Sequence, residues 1–343
     1  MVQKPVVRHF LAEGVTSRGY ISLLPDMMTE WERTYVLMGG PGTGKSTMIK
    51  MIGLELLDRG YEVDFIRSAR DPDSMAGFSI RRNNLVMLDL YEIAPLKWRA
   101  PGIIERFIDF TPMCDLAKLE HYRSRILELE EIEKHAQKEI GIYLAEEFGE
   151  KMRGKMPAVA ETKKRPWLPD IYSILNDNEG RDGTWVKAQN ALQKLQKSKV
   201  TPFFLHGLDC EGWLNLAPHY LTDFDQIHLD GKETSEAMDW ILSEAEQLGQ
   251  IIDMVLHPLY PEEIIGIVFP QRNLAIWQGK PDELKDQGLD RPFSESLKKT
   301  LVQYQNTRDL LKSIYMEVID FSQVDRLRDE LLNQILRDLE DLQ

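Results

Sequence analysis

The sequence predicts an α/β fold built twice: two domains in tandem, each a parallel sheet flanked by helices and each carrying a long helical arm. Three observations lead there. The stretch GGPGTGKST at 39–47 stands between a β-prone run and a helical one. Further apolar runs of strand length follow it, up to a long charged helical segment. Segments of the first half then recur, in the same order, in the second. With 343 residues, 43% hydrophobic and 29% charged, the chain has enough material for two cores.

The first strand is TYVLM at 34–38, and the helix after it, STMIKMIGLELLDRG at 46–60, carries Met48, Ile52, Leu56 and Leu57 at helical spacing. Gly60 is its predicted C-cap. Strand, glycine-rich loop and helix in that order make a phosphate cradle. The pattern GxxxxGK[ST] is met by Gly39, Gly44, Lys45 and Ser46, within a cradle formed by Gly39, Gly40, Pro41, Gly42, Thr43, Gly44, Lys45, Ser46 and Thr47. Glycines permit positive φ, so successive N–H groups can turn inward on a β-phosphate, with the positive end of the helix behind them. Lys45 would reach the β- and γ-phosphates, Ser46 would ligate Mg²⁺, and Thr47 would touch the α-phosphate.

YEVDFIRS at 61–68 reads as the second strand and NLVMLDL at 84–90 as the third, with Asp89 at its carboxyl edge. This has the form of a Walker B strand, so Asp89 joins Ser46 as an expected metal ligand and Lys45 as an expected catalytic residue. Leu90 follows Asp89, where a water-polarising Glu often stands, and Glu92, the nearest later carboxylate, is a candidate to activate water or an acceptor hydroxyl. Between the strands, SARDPDSMAG offers Asp71 and Asp73 as a general base or metal contact, or simply as an Asp-Pro-Asp-Ser turn. Arg67, Arg70, Arg81 and Arg82 are candidates for a phosphate clamp or an arginine finger.

The repeat is gapless over long stretches. Residues 8–26 lie over 201–219, so that Phe10, Gly14, Gly19, Tyr20 and Pro25 meet Phe203, Gly207, Gly212, Trp213 and Pro218, an offset of 193. Residues 60–89 lie over 249–278, where Gly60, Asp64, Pro72, Gly77, Asn84 and Leu85 meet Gly249, Asp253, Pro261, Gly266, Asn273 and Leu274, an offset of 189. Four residues are therefore lost from the second copy, in the interval that holds the glycine-rich loop. There the second half reads HLDGKETSEAMDW: Gly231 and Lys232 remain, Asp230 and Glu233 would repel phosphate, and Gln278 replaces Asp89. One intact nucleotide loop and one degenerate copy are expected.

Residues 116–148 and 294–342 are charge-rich with apolar residues at helical spacing, and each is predicted to form a helical-hairpin arm whose charges are solvated. Between the copies, residues 150–200 read as a linker with a short helix near 185–197, in which Trp167 and Trp185 either pin the segment to a domain or mark a partner surface. The predicted organisation is a P-loop domain with its arm at 1–149, the linker at 150–200, and a degenerate P-loop-like domain with a C-terminal arm at 201–343. The formal net charge of −14 disfavours non-specific nucleic acid and anionic membranes as partners. Two cysteines, Cys114 and Cys210, give no disulfide framework, and no apolar run reaches the length of a signal or a membrane span. A soluble, cytoplasmic protein is expected. His121 and His135 lack metal-ligand spacing, so no zinc site is expected.

HFLAEGVTSRGYISL, GGPGTGKST, DPDSMAG, NLVMLDLYEIAP, PGIIERFIDF and the C-terminal YMEVIDFSQVDRL together resemble the duplicated P-loop ATPases of Gram-positive bacteria, sometimes labelled nucleotide kinases. The resemblance spans most of the chain and implies two tandem P-loop domains with helical insertions and ATP as nucleotide. That family carries a loop in both halves and commonly a Gly-Thr after the Walker B Asp; this chain has one complete loop, and Leu90 and Tyr91 at those positions. The expected function is an ATP-binding, Mg²⁺-dependent ATPase or nucleotide kinase using only the N-terminal site. The alternative is a slow or non-catalytic nucleotide-gated module whose degenerate domain or helical arms recruit a protein partner.

Overall fold

A computed structural model describes residues 7–17, 19–27, 31–91, 97–148, 199–210, 212–230, 234–281, 283–284 and 288–342. The predicted linker, with Trp167, Trp185 and the short helix, lies outside them except for its last two positions, and so do Glu92, Gly231, Lys232 and Glu233.

The chain is α/β with mixed sheets. The first half runs β1 (Val7–Leu11), β2 (Glu13–Thr16), β3 (Gly19–Ser22), α1 (Leu24–Met27), β4 (Arg33–Met38), α2 (Lys45–Asp58), β5 (Val63–Arg67), β6 (Met75–Ile80), β7 (Leu85–Asp89), β8 (Glu105–Asp109), α3 (Leu116–His121) and α4 (Arg123–Phe148). Its main sheet has the order β1-β5-β6-β7-β4-β8, and β2 pairs with β3 as a separate hairpin. The expectation of a parallel sheet is corrected at one strand: β6 runs antiparallel to both neighbours, β5 and β7. Its sequence, MAGFSI, is buried throughout, and its first three residues fall within the SARDPDSMAG segment that the sequence assigns to a turn. A 3-10 turn at Arg81–Asn83, ended by Asn84 at φ 47°, reverses the chain into β7. Gly77 is required inside the strand, because a Cβ there would lie 2.4 Å from the Met87 carbonyl oxygen.

The second half repeats the plan: β9 (Lys199–Phe203), β10 (His206–Leu208), β11 (Trp213–Asn215), α5 (Ala217–Tyr220), β12 (Asp225–Leu229), α6 (Thr234–Gln247), β13 (Ile251–Leu256), β14 (Ile264–Phe269) and β15 (Leu274–Gln278). Strand β9 begins at Lys199, so the last two residues of the predicted linker are sheet. The order β12-β15-β14-β13-β9 is that of the first sheet without β8, with β14 again the antiparallel strand. Register agrees residue by residue. Gly77 faces Leu88 and Gly266 faces Trp277 (266 minus 77, 189), while Val7 faces Val63 and Val200 faces Ile252 (200 minus 7, 193). The bulge after Ile66 recurs after Val255. Both offsets are those of the sequence comparison, and a shared ladder fixes them more tightly than scattered identities can.

The two copies meet about a pseudo-two-fold axis. Leu11 N–H donates to Phe204 O at 2.9 Å and Phe204 N–H donates to Leu11 O at 2.8 Å, and these two residues are equivalent. Equivalent Asp64 and Asp253 both hold Arg81, at 2.5 Å in the second case. A continuous apolar core, with Phe10, Ile66 and Leu88 on one side and Phe203, Ile267 and Trp277 on the other, joins the sheets across this axis.

The helical arms depart from expectation. The long helices α7 (Glu295–Met316) and α8 (Phe321–Asp341) follow the second sheet. Instead of one hairpin on each copy, α4 of the first half packs along α7 of the second. Helix α8 then crosses to the first sheet, where Val324, Leu331, Ile335 and Leu339 share a core with Tyr35, Leu37, Met48 and Ile52. Tyr35 donates its hydroxyl to Asp338 at 2.6 Å, and Arg33 and Arg106 pair with the same carboxylate. No helix among the described residues is long and apolar enough to cross a membrane.

Candidate functional site

Strand β4 is buried along its middle and delivers the chain to Gly39 at the carboxyl edge of the sheet. Gly39, Gly42 and Gly44 adopt φ of 146°, 77° and 90°, the conformations that the loop's curl requires and that β-carbons resist. Helix α2 starts at Lys45 with no side-chain cap on its first turn. Lys45 Nζ donates to Gly39 O at 2.9 Å, to Gly40 O at 2.6 Å and to Thr43 Oγ1 at 3.2 Å, tying the two ends of the loop together. Thr43 in turn donates to Gly40 O at 2.8 Å, and Pro41 is buried beneath the curl.

The neighbour of β4 is β7, in a parallel register that sets Leu37 beside Asp89. This is why Asp89 stands 3.6 Å from Lys45 Nζ, with Lys45 only 3% exposed and Asp89 4%. Tyr91 N–H donates to Asp89 Oδ1 at 3.0 Å and holds the carboxylate facing the lysine. Ser46 Oγ accepts from Met75 N–H at 2.8 Å, which staples the start of α2 to the start of β6. Thr47 is exposed on the same turn of helix.

The turn between β5 and β6 supplies a second carboxylate. Ser68 Oγ accepts from the backbone N–H groups of Arg70 and Asp71, and Ser74 Oγ donates to Asp71 Oδ2 at 2.6 Å. Asp71 is also paired with Lys312. Burial pushes the Asp71 carboxyl up, but the hydrogen bonds from Lys312 and Ser74 outweigh it and hold the group below its ordinary value. The Asp-Pro-Asp-Ser turn and the charged site are thus one object. Asp73, by contrast, is exposed.

Three of the four arginine candidates have other partners. Arg81 serves the axis between the copies, Arg82 lies on the surface beside Glu62, and Arg70 stacks on Tyr20 and reaches Tyr91 O at 3.3 Å. Arg67 ends β5 with its Nε buried.

Further groups, which no local sequence pattern marks, arrive from α4 and α7. Arg308 is 1% exposed and donates to Glu133 at 2.7 Å, and Glu133 accepts the Tyr91 hydroxyl at 3.3 Å. These two arm charges are therefore buried, which corrects the expectation of a solvated helix face. Helix α7 also presses directly on the glycine-rich loop. A Cβ on Gly40 would stand 2.2 Å from the Tyr315 ring, and one on Gly42 would stand 2.4 Å from the Lys312 carbonyl oxygen. Gly44 lies under Val324 and Phe321 of α8. Lys312 and Arg308 sit one helical turn apart, a spacing that in sequence reads as an ordinary charged face.

At the equivalent place in the second copy, β12 ends at Leu229 and α6 begins at Thr234. Helix α6 matches α2 at offset 189, so Thr234 stands where Lys45 stands, and Gln278 ends the strand where Asp89 does. Strand β12 matches β4 at offset 192, by its shared register with the next strand. Three residues of the cradle are thus missing between strand and helix, and the fourth is lost before the strand. No protein-family model, no curated protein and no solved structure matches this chain.

Proposed function

We propose that the chain is a tandem P-loop protein that binds Mg-ATP at a single site, on the N-terminal loop, and hydrolyses it or transfers its terminal phosphoryl group to a nucleotide acceptor. The observation that carries this reading is the approach of Lys45, at the start of α2, to Asp89, at the end of β7, with Nζ 3.6 Å from the carboxylate and Ser46 next to Lys45 on the same turn. A lysine aimed along a glycine-rich loop, at a helix start without a side-chain cap, suits a polyphosphate. Ser46 Oγ and Asp89 are hard oxygen donors of the type Mg²⁺ takes, and they would hold it where it could offset phosphate charge. Asp71, on the turn that leads to Met75 and so to Ser46, and held below its ordinary value by its partners, is the residue to orient an attacking water or acceptor hydroxyl. The resemblance to duplicated P-loop ATPases supports the same assignment.

A second reading has its own support. Helices α7 and α8 of the second half seat on the loop of the first, so occupancy of the loop would be felt by the other copy, and Leu90 stands where a strong hydrolase often places Glu. Such a protein would bind ATP tightly and turn it over slowly. Phosphate release and phosphoryl transfer to a nucleotide panel, measured beside Lys45→Ala, separate the two. Catalysis predicts turnover that falls about 100-fold or more in the variant, whereas tight binding without turnover in the wild type supports the gate. Calorimetry is expected to count one ATP per chain, and two would overturn the single-site assignment.

A further inference from the structure

The cation that reaches the loop from the other half of the molecule has a chemical role to match its position. We infer that Lys312 is the ligand for the terminal phosphate of the bound nucleotide, supplied in cis by the second copy, and that Asp71 holds its place when no phosphate is there. This rests on the nucleotide reading of the N-terminal loop.

The backbone of Lys312 lies against Gly42, on the loop itself. Its side chain crosses to Asp71, whose turn carries Ser74 and Met75. Met75 N–H is bound to Ser46 Oγ, at the end of the cradle toward which a terminal phosphate points when the β-phosphate fills the loop. Lys312 Nζ therefore belongs to the terminal-phosphate side of the site. A carboxylate is a fair stand-in for a phosphate oxygen: each is an anionic acceptor, and Asp71 is buried enough to hold the lysine in place. A terminal phosphate carries more charge and more acceptor oxygens than one carboxylate, so it competes well for the ammonium, and a diphosphate has nothing at that position. Lys312 also pairs with Asp309 of its own helix at 3.6 Å. Arg308, one turn earlier, fixes the same helix through Glu133 and Tyr91 to the turn after Asp89. The end of α7 is thus anchored to both carboxylate-bearing strand ends, and Lys312 is the anchored group with a nucleotide partner to gain.

The test compares affinities for a Mg-bound, non-hydrolysable ATP analogue and for Mg-ADP in the wild type, Lys312→Gln, Asp71→Asn and Lys45→Ala. The wild type is expected to prefer the triphosphate by about 10- to 100-fold, the range of a hydrogen bond to a charged group. Lys312→Gln should bring that preference close to unity while the diphosphate affinity stays within about threefold. Asp71→Asn, which removes the competitor, should tighten the triphosphate and leave the diphosphate unchanged. Lys45→Ala should weaken both nucleotides. A preference retained in Lys312→Gln overturns the assignment, and so does an Asp71→Asn variant that weakens both nucleotides alike, as a purely structural ion pair would. If Lys312→Gln does not fold, the Asp71→Asn result decides alone. Failure of the wild type to bind either nucleotide sinks the nucleotide reading itself, which is a different outcome from binding without discrimination.

Discussion

At the scale of single residues, His206 marks a place where the two copies differ in chemistry. It occupies the position of Glu13 in the first copy, yet it is 2% exposed, with neither ring nitrogen hydrogen-bonded among the described residues. Burial, with His257 nearby, lowers its pKa to about 3. The native state therefore refuses a proton that the unfolded chain accepts below its ordinary value of 6.5. The sign follows from that difference. Stability from this group is complete above pH 6.5 and is lost progressively as the pH falls toward about 3. The slope is about 1.4 kcal/mol per pH unit while one extra proton is taken up on unfolding. Denaturant unfolding between pH 6 and pH 4 should be shallower by that amount in His206→Phe; equal slopes in the two proteins would dispose of the idea. From the sequence alone the residue was one of seven scattered histidines. Its burial depends on Trp277 and the facing sheet, which no local pattern announces.

Between elements, the glycine-rich loop is legible in the sequence in its backbone but not in its neighbours. Its strand, its helix and its positive-φ glycines follow from spacing and from the absence of a Cβ, both local properties. Gly40 is different, since its backbone is ordinary and what excludes a side chain is the Tyr315 ring of α7. Gly40→Ala is accordingly expected to destabilise the chain by about 1–3 kcal/mol, as overpacking does, and to displace the end of α7 from the loop. Tyr315→Ala in the same protein should recover part of that loss. Equal and additive costs for the two substitutions, seen in thermal unfolding, would mean that the residues do not meet. The helical arms were likewise legible as helices but not as partners. Periodicity identifies the apolar stripe of α8, whereas the surface that takes it, the first sheet around Tyr35 and Leu37, lies about three hundred residues away in sequence.

For the whole molecule, the axis between the copies carries an asymmetric charge on a symmetric frame. Asp64 and Asp253 are equivalent, and their side chains are 5% and 1% exposed, yet the first copy's Arg81 neutralises both; its counterpart in the second is Pro270. Tyr220 completes the set by donating to Asp253 at 2.8 Å. Among the described residues, removing the shared cation leaves Asp253 with only the Tyr220 hydroxyl and Asp64 with only Arg8, 3.6 Å away. Arg81→Met should cost about 3–5 kcal/mol in denaturant unfolding, with partial recovery on adding Asp253→Asn. A loss below about 1 kcal/mol, the range of a surface pair, would mean that the axis is not held by this cluster.

What the sequence determined by itself was local or repeated: the strand, loop and helix around Lys45, the strand ending in Asp89, and the duplication whose two offsets reappear in the ladders of both sheets. Each of these is written in spacing over a few residues or in a comparison of the chain with itself. Only the tertiary structure decided that β6 inserts antiparallel, that Asp71 faces a lysine from the far half, and that α8 covers the first sheet. Those outcomes follow from which buried surfaces find each other. That choice is set by total apolar burial and charge pairing across long sequence separations, which periodicity in one segment does not encode.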